Sequence, residues 1–393
     1  MPQVSAAAPD PAPAAVGVSR DRRGSWIPAG AMIATRFMEL RKRRGLMVAL
    51  ILVNIGIPTI FLTVRLLLHA FAPHSYGPAG GYNIYTGLVA GVLYIFGFMV
   101  AATLGCTAGS IDLTEGMFRH LVVTGRSRLA LYLARIPAGL AIIVPLVAIG
   151  FTVVCAVCVF AAPKTIRYNG VSVPANLTLT GLESWAGDHA EVVICDFNYN
   201  GPINVEVPCG NGPGNLGGPG GAVIGGAPSP GVAAQPTPAV LKALAVQIAA
   251  QDYSDYHTIF RYPSNSLMIE SGLWIELEAT IGFMVGLGLA SLLGQRTVPV
   301  ILMIVLEIVL TPILSRARIP HMANLQRAVV GLAMAHLAPG RLPVLGGGGG
   351  GPAGGHGSPA LLPESTTVAV CVIVAWLVGW TVLGAWRMMT RDA

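Results

Sequence analysis

Two groups of residues in this 393-residue chain have types and spacings that could do chemistry. The first is a polar island at 111–128, Ile-Asp-Leu-Thr-Glu-Gly-Met-Phe-Arg-His-Leu-Val-Val-Thr-Gly-Arg-Ser-Arg, set between two long apolar runs. Asp112 and Glu115 open it, Arg119, Arg126 and Arg128 come after them, and Met117, Leu121 and Val122 are spaced to share one side of a short helix. Acids at a helix start are favoured by its dipole. An apolar ridge flanked by bases suits docking into a groove on a partner, with the arginines pairing with that partner's acids. The plainer alternative is a solvated loop whose bases only set topology. The second group is Glu307, Glu276 and Glu278, carboxylates in or beside runs apolar enough to lie in lipid. An ionisable side chain at the bilayer centre costs about 2.5–3.5 kcal/mol on insertion scales. Glu307 therefore reads either as the lining of a substrate path or partner of a buried cation, or as a protonated acid hydrogen-bonded between helices. Glu276 and Glu278 read first as a solvated interfacial pair, and otherwise as part of the same path.

Other chemistries find little to stand on. The chain contains no His-Glu-x-x-His, no Gly-x-Ser-x-Gly and no Walker A phosphate loop, and none of Lys42, Lys164 and Lys242 comes after a glycine-rich turn. Gly212, Gly214 and Gly217 match Gly-x-Gly-x-x-Gly inside a low-complexity tract, without the strand-to-helix setting the motif needs. No metal site is expected, since Cys155 and Cys158 lie in an apolar run without nearby histidines. Cys195 and Cys209 fall in a long polar insert, where an oxidising compartment would let them form a disulfide.

The elements that must hold these residues are membrane helices. Apolar residues make up 53% of the chain and charged residues 11%, against about 25% charged in an ordinary soluble domain. A helix needs about 20 predominantly apolar residues to cross a bilayer. Six segments qualify, at 45–68, 84–108, 136–160, 273–294, 297–314 and 366–388, the fifth being the shortest and carrying Glu307. Arg36, Arg41, Lys42, Arg43 and Arg44 before the first span, with Arg119, Arg126 and Arg128 in the island, place both termini in the cytoplasm by the positive-inside rule. The net charge of +6 reflects this bias and gives no reason to expect nucleic acid. Arg65 and Arg135, near helix ends, are expected to snorkel towards the interface.

Residues 1–27, rich in Ala and Pro, read as a disordered tail. Residues 28–161 hold a basic amphipathic helix suited to the membrane surface, with Ile33, Phe37 and Leu40 opposite Arg36, Glu39 and Arg43, and then the first three spans. Residues 162–271 form an extracellular insert with strand-like alternation at 165–171 and 191–197, a Gly/Pro-rich linker at 210–238 and a helix at 239–253. Spans four and five occupy 272–314. An extracellular loop at 315–365 carries a helix at 322–336 and a spacer of six glycines, and 366–393 supplies the sixth span and a cytoplasmic tail.

This arrangement resembles the permeases of type-2 ATP-binding-cassette transporters. The resemblance lies in the basic helix at 36–44 and in Asp112-Leu-Thr-Glu115-Gly116 running through Arg119, Leu121 and Thr124 to Arg126-Ser127-Arg128. It extends to the helical loop before the last span and the basic tail at 387–391, and it is most specific over 112–138. The stretch Tyr262-Pro-Ser-Asn-Ser-Leu-Met-Ile-Glu270, leading to Gly272-Leu-Trp274, is similar to actinobacterial members of that family. Two features depart from the pattern: the insert at 162–271 is an addition to the short loop of simpler members, and Thr124-Gly125-Arg126 stands where the family often has a proline.

The resemblance implies that 111–128 is a coupling helix docking on a nucleotide-binding subunit, with Asp112, Glu115, Gly116, Arg119, Leu121, Arg126 and Arg128 at the contact. The expected fold is an all-α integral membrane protein: six transmembrane helices, an N-terminal interfacial helix, a cytoplasmic coupling helix and a large extracellular insert. The expected function is that of a non-catalytic permease subunit in the plasma membrane, exporting an amphipathic small molecule, lipid or glycan. It would pair with a second copy or a second permease. ATP and Mg would bind the partner ATPase and no cofactor this chain. The alternatives are a sensor or scaffold, or a transferase using Asp188, Glu191 or Asp196, acting through the insert.

Overall fold

The computed structural model describes residues 27–72, 78–114, 127–168, 171–195, 205–207, 222–224, 237–316, 323–340, 342 and 365–390. Among them, six helical segments are long and apolar enough to cross a membrane: Arg44–Phe71, Tyr82–Asp112, Arg128–Phe160, Pro238–Leu293, Thr297–Leu314 and Thr366–Thr390. The protein is thus mostly helical and of the multi-pass membrane type. Alternate crossings put helix α1 (Gly30–Lys42) on one membrane face and the insert on the other.

The fourth segment departs most from expectation. Helix α4 (Pro238–Asp255) belongs to the insert, and the chain breaks at Arg261–Ser264 before a 29-residue helix, α5 (Asn265–Leu293). The Ser264 side chain accepts from the Leu267 amide at 3.3 Å, so this capping serine starts the helix two turns before the apolar run begins. At about 1.5 Å per residue α5 outreaches a hydrocarbon core of about 30 Å. Glu276 and Glu278 consequently sit well within the helix instead of at its outer end.

Helix α5 is the centre of the bundle and lies closest to the second span. A Cβ on Gly286 would stand 2.5 Å from the Ala102 carbonyl oxygen, and one on Gly282 would stand 2.7 Å from that of Phe98. From the other side, a Cβ on Gly109 would meet the Leu287 carbonyl oxygen at 2.6 Å. Small residues four apart on both helices let the backbones approach, which is how helices associate in lipid when no hydrophobic force separates protein from solvent.

Three spans carry short π-helical segments, Leu52–Gly56, Leu88–Leu93 and Val305–Leu310. The last contains Glu307 and is succeeded by Thr311, whose hydroxyl donates to the Leu306 carbonyl at 2.8 Å, taking up an acceptor at the widened turn.

The insert has its own small core of Tyr168, Val173, Leu182, Ala186, Val193, Ile194, Leu244, Ile248 and neighbouring alanines. Strands β1 (Thr165–Tyr168) and β2 (Val171–Pro174) form an antiparallel hairpin, with helices α2 (Leu179–Asp188) and α3 (Ala190–Ile194) after it. A second short pair joins β3 (Val205–Val207) to β4 (Ala222–Ile224). The expected strand at 191–197 is therefore helical over its described part, and the insert adds two small sheets to an otherwise helical molecule. The helix expected at 322–336 is two pieces, α6 (Ala323–Arg327) and α7 (Val330–His336), with the break at Ala328–Val329.

Candidate functional site

Helix α5 carries one of two polar clusters, and the end of the second span carries the other. At the α1 face the helix of the second span, Tyr94–Thr114, continues through Ile111 and Asp112. Asp112 therefore lies in the last turn of a membrane helix and not in the first turn of a separate one, and it is fully buried. Its carboxylate holds two guanidiniums. Arg36 of α1 donates to Oδ1 at 2.7 Å and to Oδ2 at 2.6 Å, and Arg135 of the third span donates to Oδ2 at 2.5 Å. Arg36 also reaches Glu39 at 2.7 Å, and Arg135 reaches the Gly109 carbonyl at 3.1 Å.

Two expectations change here. Arg36 faces inward beside Leu40 instead of lining the polar side of α1, and Arg135 is buried and paired instead of snorkelling. Burial opposes the charge on Arg36, but the adjoining Asp112 and Glu39 carboxylates outweigh it and raise its pKa above the ordinary arginine value. A buried charge pair is tolerable only when well hydrogen-bonded; the forked contacts satisfy both Asp112 oxygens, while Arg135 Nε and Glu39 Oε1 have no partner among the described residues.

The island itself is described only at its ends. Glu115, Gly116, Arg119, Leu121 and Arg126 lie outside the described residues, as does the central part of the coupling helix assigned to 111–128. Ser127 N-caps the next helix by accepting from the Ala130 amide at 3.2 Å. Arg128 donates to the Met389 carbonyl at 3.1 Å, at the end of the sixth span, which is the favoured place for a cation on a helix dipole. The two ends of the island are thus anchored to α1, to the third span and to the sixth.

The second cluster lies deep in the bundle, towards the opposite face. Glu278 of α5 and Glu307 of the fifth span are both buried, 1% and 2% exposed, and their carboxylate oxygens have no hydrogen-bond partner among the described residues. The Tyr94 ring stacks on Trp274, one turn before Glu278, with centroids 4.7 Å apart, and its hydroxyl lies beside both acids. That hydroxyl donates, at the long limit of 3.5 Å, to the Gly331 carbonyl of α7. A Cβ on Gly331 would stand 3.0 Å from Glu307 Oε2, so glycine is what lets α7 approach the acid. Trp274 Nε1 donates to the Met334 carbonyl at 2.9 Å and Trp376 Nε1 to that of Ala328 at 2.8 Å, tying α6 and α7 into the bundle. The solvated interfacial pair expected of Glu276 and Glu278 is not what the fold makes. Two residues apart on one helix, they point to different sides: Glu278 is buried near Glu307, and Glu276 is half-buried, without a hydrogen-bond partner among the described residues.

Comparison with protein-family models, curated proteins and solved structures finds no match for this chain. Among the described residues no group of three or more His, Cys, Asp and Glu is placed to hold a metal ion. Cys106, Cys155, Cys158 and Cys371 are free, and Cys195 is disulfide-bonded. Cys209, the remaining cysteine, lies outside the described residues. Of the acids considered for a transferase, Asp188 makes an exposed ion pair with Lys242 at 3.6 Å, Glu191 is exposed at the start of α3, and Asp196 lies outside the described residues. The Arg36–Asp112–Arg135 triad is the main feature that sequence reasoning misses. Its arginines stand 76 and 23 residues from the aspartate, and the one hint is a lone acid at the end of an apolar run.

Proposed function

We propose that this chain is the transmembrane subunit of an ATP-driven transporter, with the island at 111–128 receiving force from a separate ATPase subunit. The observation that carries the reading is the Asp112 clamp. One end of the island is joined through Asp112, at the end of the second span, to α1 and the third span, and its other end is joined through Arg128 to the sixth. A displacement of the island would be felt by four elements at once. The chain contains no phosphate-binding loop with which to hydrolyse nucleotide itself, so the driving step belongs to a partner holding ATP and Mg. A second copy or a second permease would complete the translocation path.

The cargo we propose is an amphipathic molecule, a lipid or a glycan, carried outward. Glu278 and Glu307 would line its route, offering buried carboxyl groups without partners to a substrate rich in hydrogen-bond donors. Glu276, on a different side of α5, would lie at the edge of that route. The test is transport in vesicles containing the chain and its ATPase. Glu115→Ala with Arg119→Ala should abolish cargo movement while the ATPase's basal hydrolysis and membrane insertion persist; undiminished transport removes the island from the mechanism.

A further inference from the structure

A third feature belongs to neither cluster. Between the start of the first span and the turn joining the fourth and fifth spans lies a cavity of ≈ 200 Å³, lined by Arg43, Arg44, Gly45, Leu46, Thr107 and Arg296. Arg43, Arg44 and Arg296 line it from two distant parts of the chain, Arg43 already engaged in another interaction, and no acid is among the lining residues. Arg44 and Arg296 have no ion-pair or hydrogen-bond partner among the described residues. The Thr107 hydroxyl already donates to the Thr103 carbonyl at 2.8 Å, so Arg44 and Arg296 are the donors the cavity offers.

We propose that this cavity binds the phosphate headgroup of an anionic membrane lipid. A guanidinium presents its donors as a planar fork matched to phosphate oxygens. Basic pockets between membrane helices at the cytoplasmic side take such headgroups. The residues just beyond Leu46 favour a lipid over a free anion. Val48, Ile51 and Leu52, in the next two turns of the first span, are exposed on the outside of the bundle, where acyl chains lie. The headgroup would bridge the α1–first-span junction to the turn at Arg296, beside but separate from the Asp112 clamp.

The test uses the purified full-length chain incubated with vesicles of phosphatidylcholine alone, or of phosphatidylcholine and phosphatidylglycerol in equal parts, and then native mass spectrometry. Wild type should retain one phosphatidylglycerol. Arg44→Gln with Arg296→Gln should weaken retention roughly thirtyfold, at about one kcal/mol per basic residue near an anionic surface and about 1.4 kcal/mol per tenfold. Arg41→Gln with Arg387→Gln removes the same charge from exposed positions outside the cavity and should change nothing. If the double cavity variant does not fold, Arg296→Gln alone carries the comparison, with roughly fivefold weakening. Equal loss in the two pairs of variants would mean general attraction and overturn the site. Complete displacement of phosphatidylglycerol by inorganic phosphate would overturn the lipid as its occupant.

Discussion

Asparagine in place of Asp112 keeps the shape of the side chain and removes its charge. Two guanidiniums then lose a counter-charge. Arg36 keeps Glu39, but Arg135 is 1% exposed and has no other carboxylate partner among the described residues. Removing one member of a buried ion pair costs about 3–5 kcal/mol. Polar contacts between membrane helices measure towards the low end of such ranges, because the unfolded chain in the membrane also finds partners. The expected cost of Asp112→Asn is therefore about 3 kcal/mol. The assay is reversible unfolding of the purified chain in mixed micelles titrated with sodium dodecyl sulfate. Arg135→Gln and the double variant complete a cycle. Because the two groups touch, the double variant should cost less than the two single changes together, by about 1–3 kcal/mol. An Asp112→Asn protein within about 0.5 kcal/mol of wild type, or strict additivity in the cycle, would refute the clamp.

Other parts of the bundle have their own expected outcomes. Gly286→Val, which drives a side chain into the Ala102 backbone, should destabilise by about 1–3 kcal/mol or separate α5 from the second span; the same micelle titration reads it, and wild-type stability contradicts the packing. Glu278→Gln should leave stability unchanged or slightly improved, since its carboxylate has no hydrogen-bond partner among the described residues, while slowing transport; marked unfolding would show a hidden partner. Trp274→Phe keeps the stack on Tyr94 but removes the indole donor to the Met334 carbonyl, which keeps the Leu337 amide at 3.1 Å, so the cost should be about 0.5–1.5 kcal/mol; a micelle titration curve that overlays wild type contradicts that bond. Peptide mapping of unreduced protein should find Cys195 joined to Cys209; free Cys195, open to alkylation, contradicts it.

The spans are legible in the sequence because lipid imposes a demand that composition alone satisfies. The fifth and sixth segments begin where their apolar runs begin, at Thr297 and Thr366. The start of α5 is not legible from hydropathy, because Ser264 caps a helix whose first two turns are amphipathic and lie before the apolar stretch. Glu307 stands out as a lone acid in an apolar run. The burial of Glu278 does not, since it depends on Tyr94 and α7, elements 184 and 53 residues away in the chain, folding over it. The same holds for Arg36. Four residues apart, it shares a side of α1 with Leu40, but nothing local marks that side as the one that meets Asp112, 76 residues away. Long-range charge pairing leaves no local pattern, and that is why the clamp escapes the sequence while its framework does not.

Whether a separate ATPase drives this chain is settled at the island itself, by capturing the full-length chain from native membranes with a cysteine-specific cross-linker placed at His120→Cys, beside the assigned contact residues. The expected product is a covalent partner containing a Walker A loop, whose ATP hydrolysis is accelerated by this chain and no longer accelerated when Glu115→Ala is present. Recovery of no ATPase from this position, together with cargo transport that continues without ATP, would contradict the coupling role.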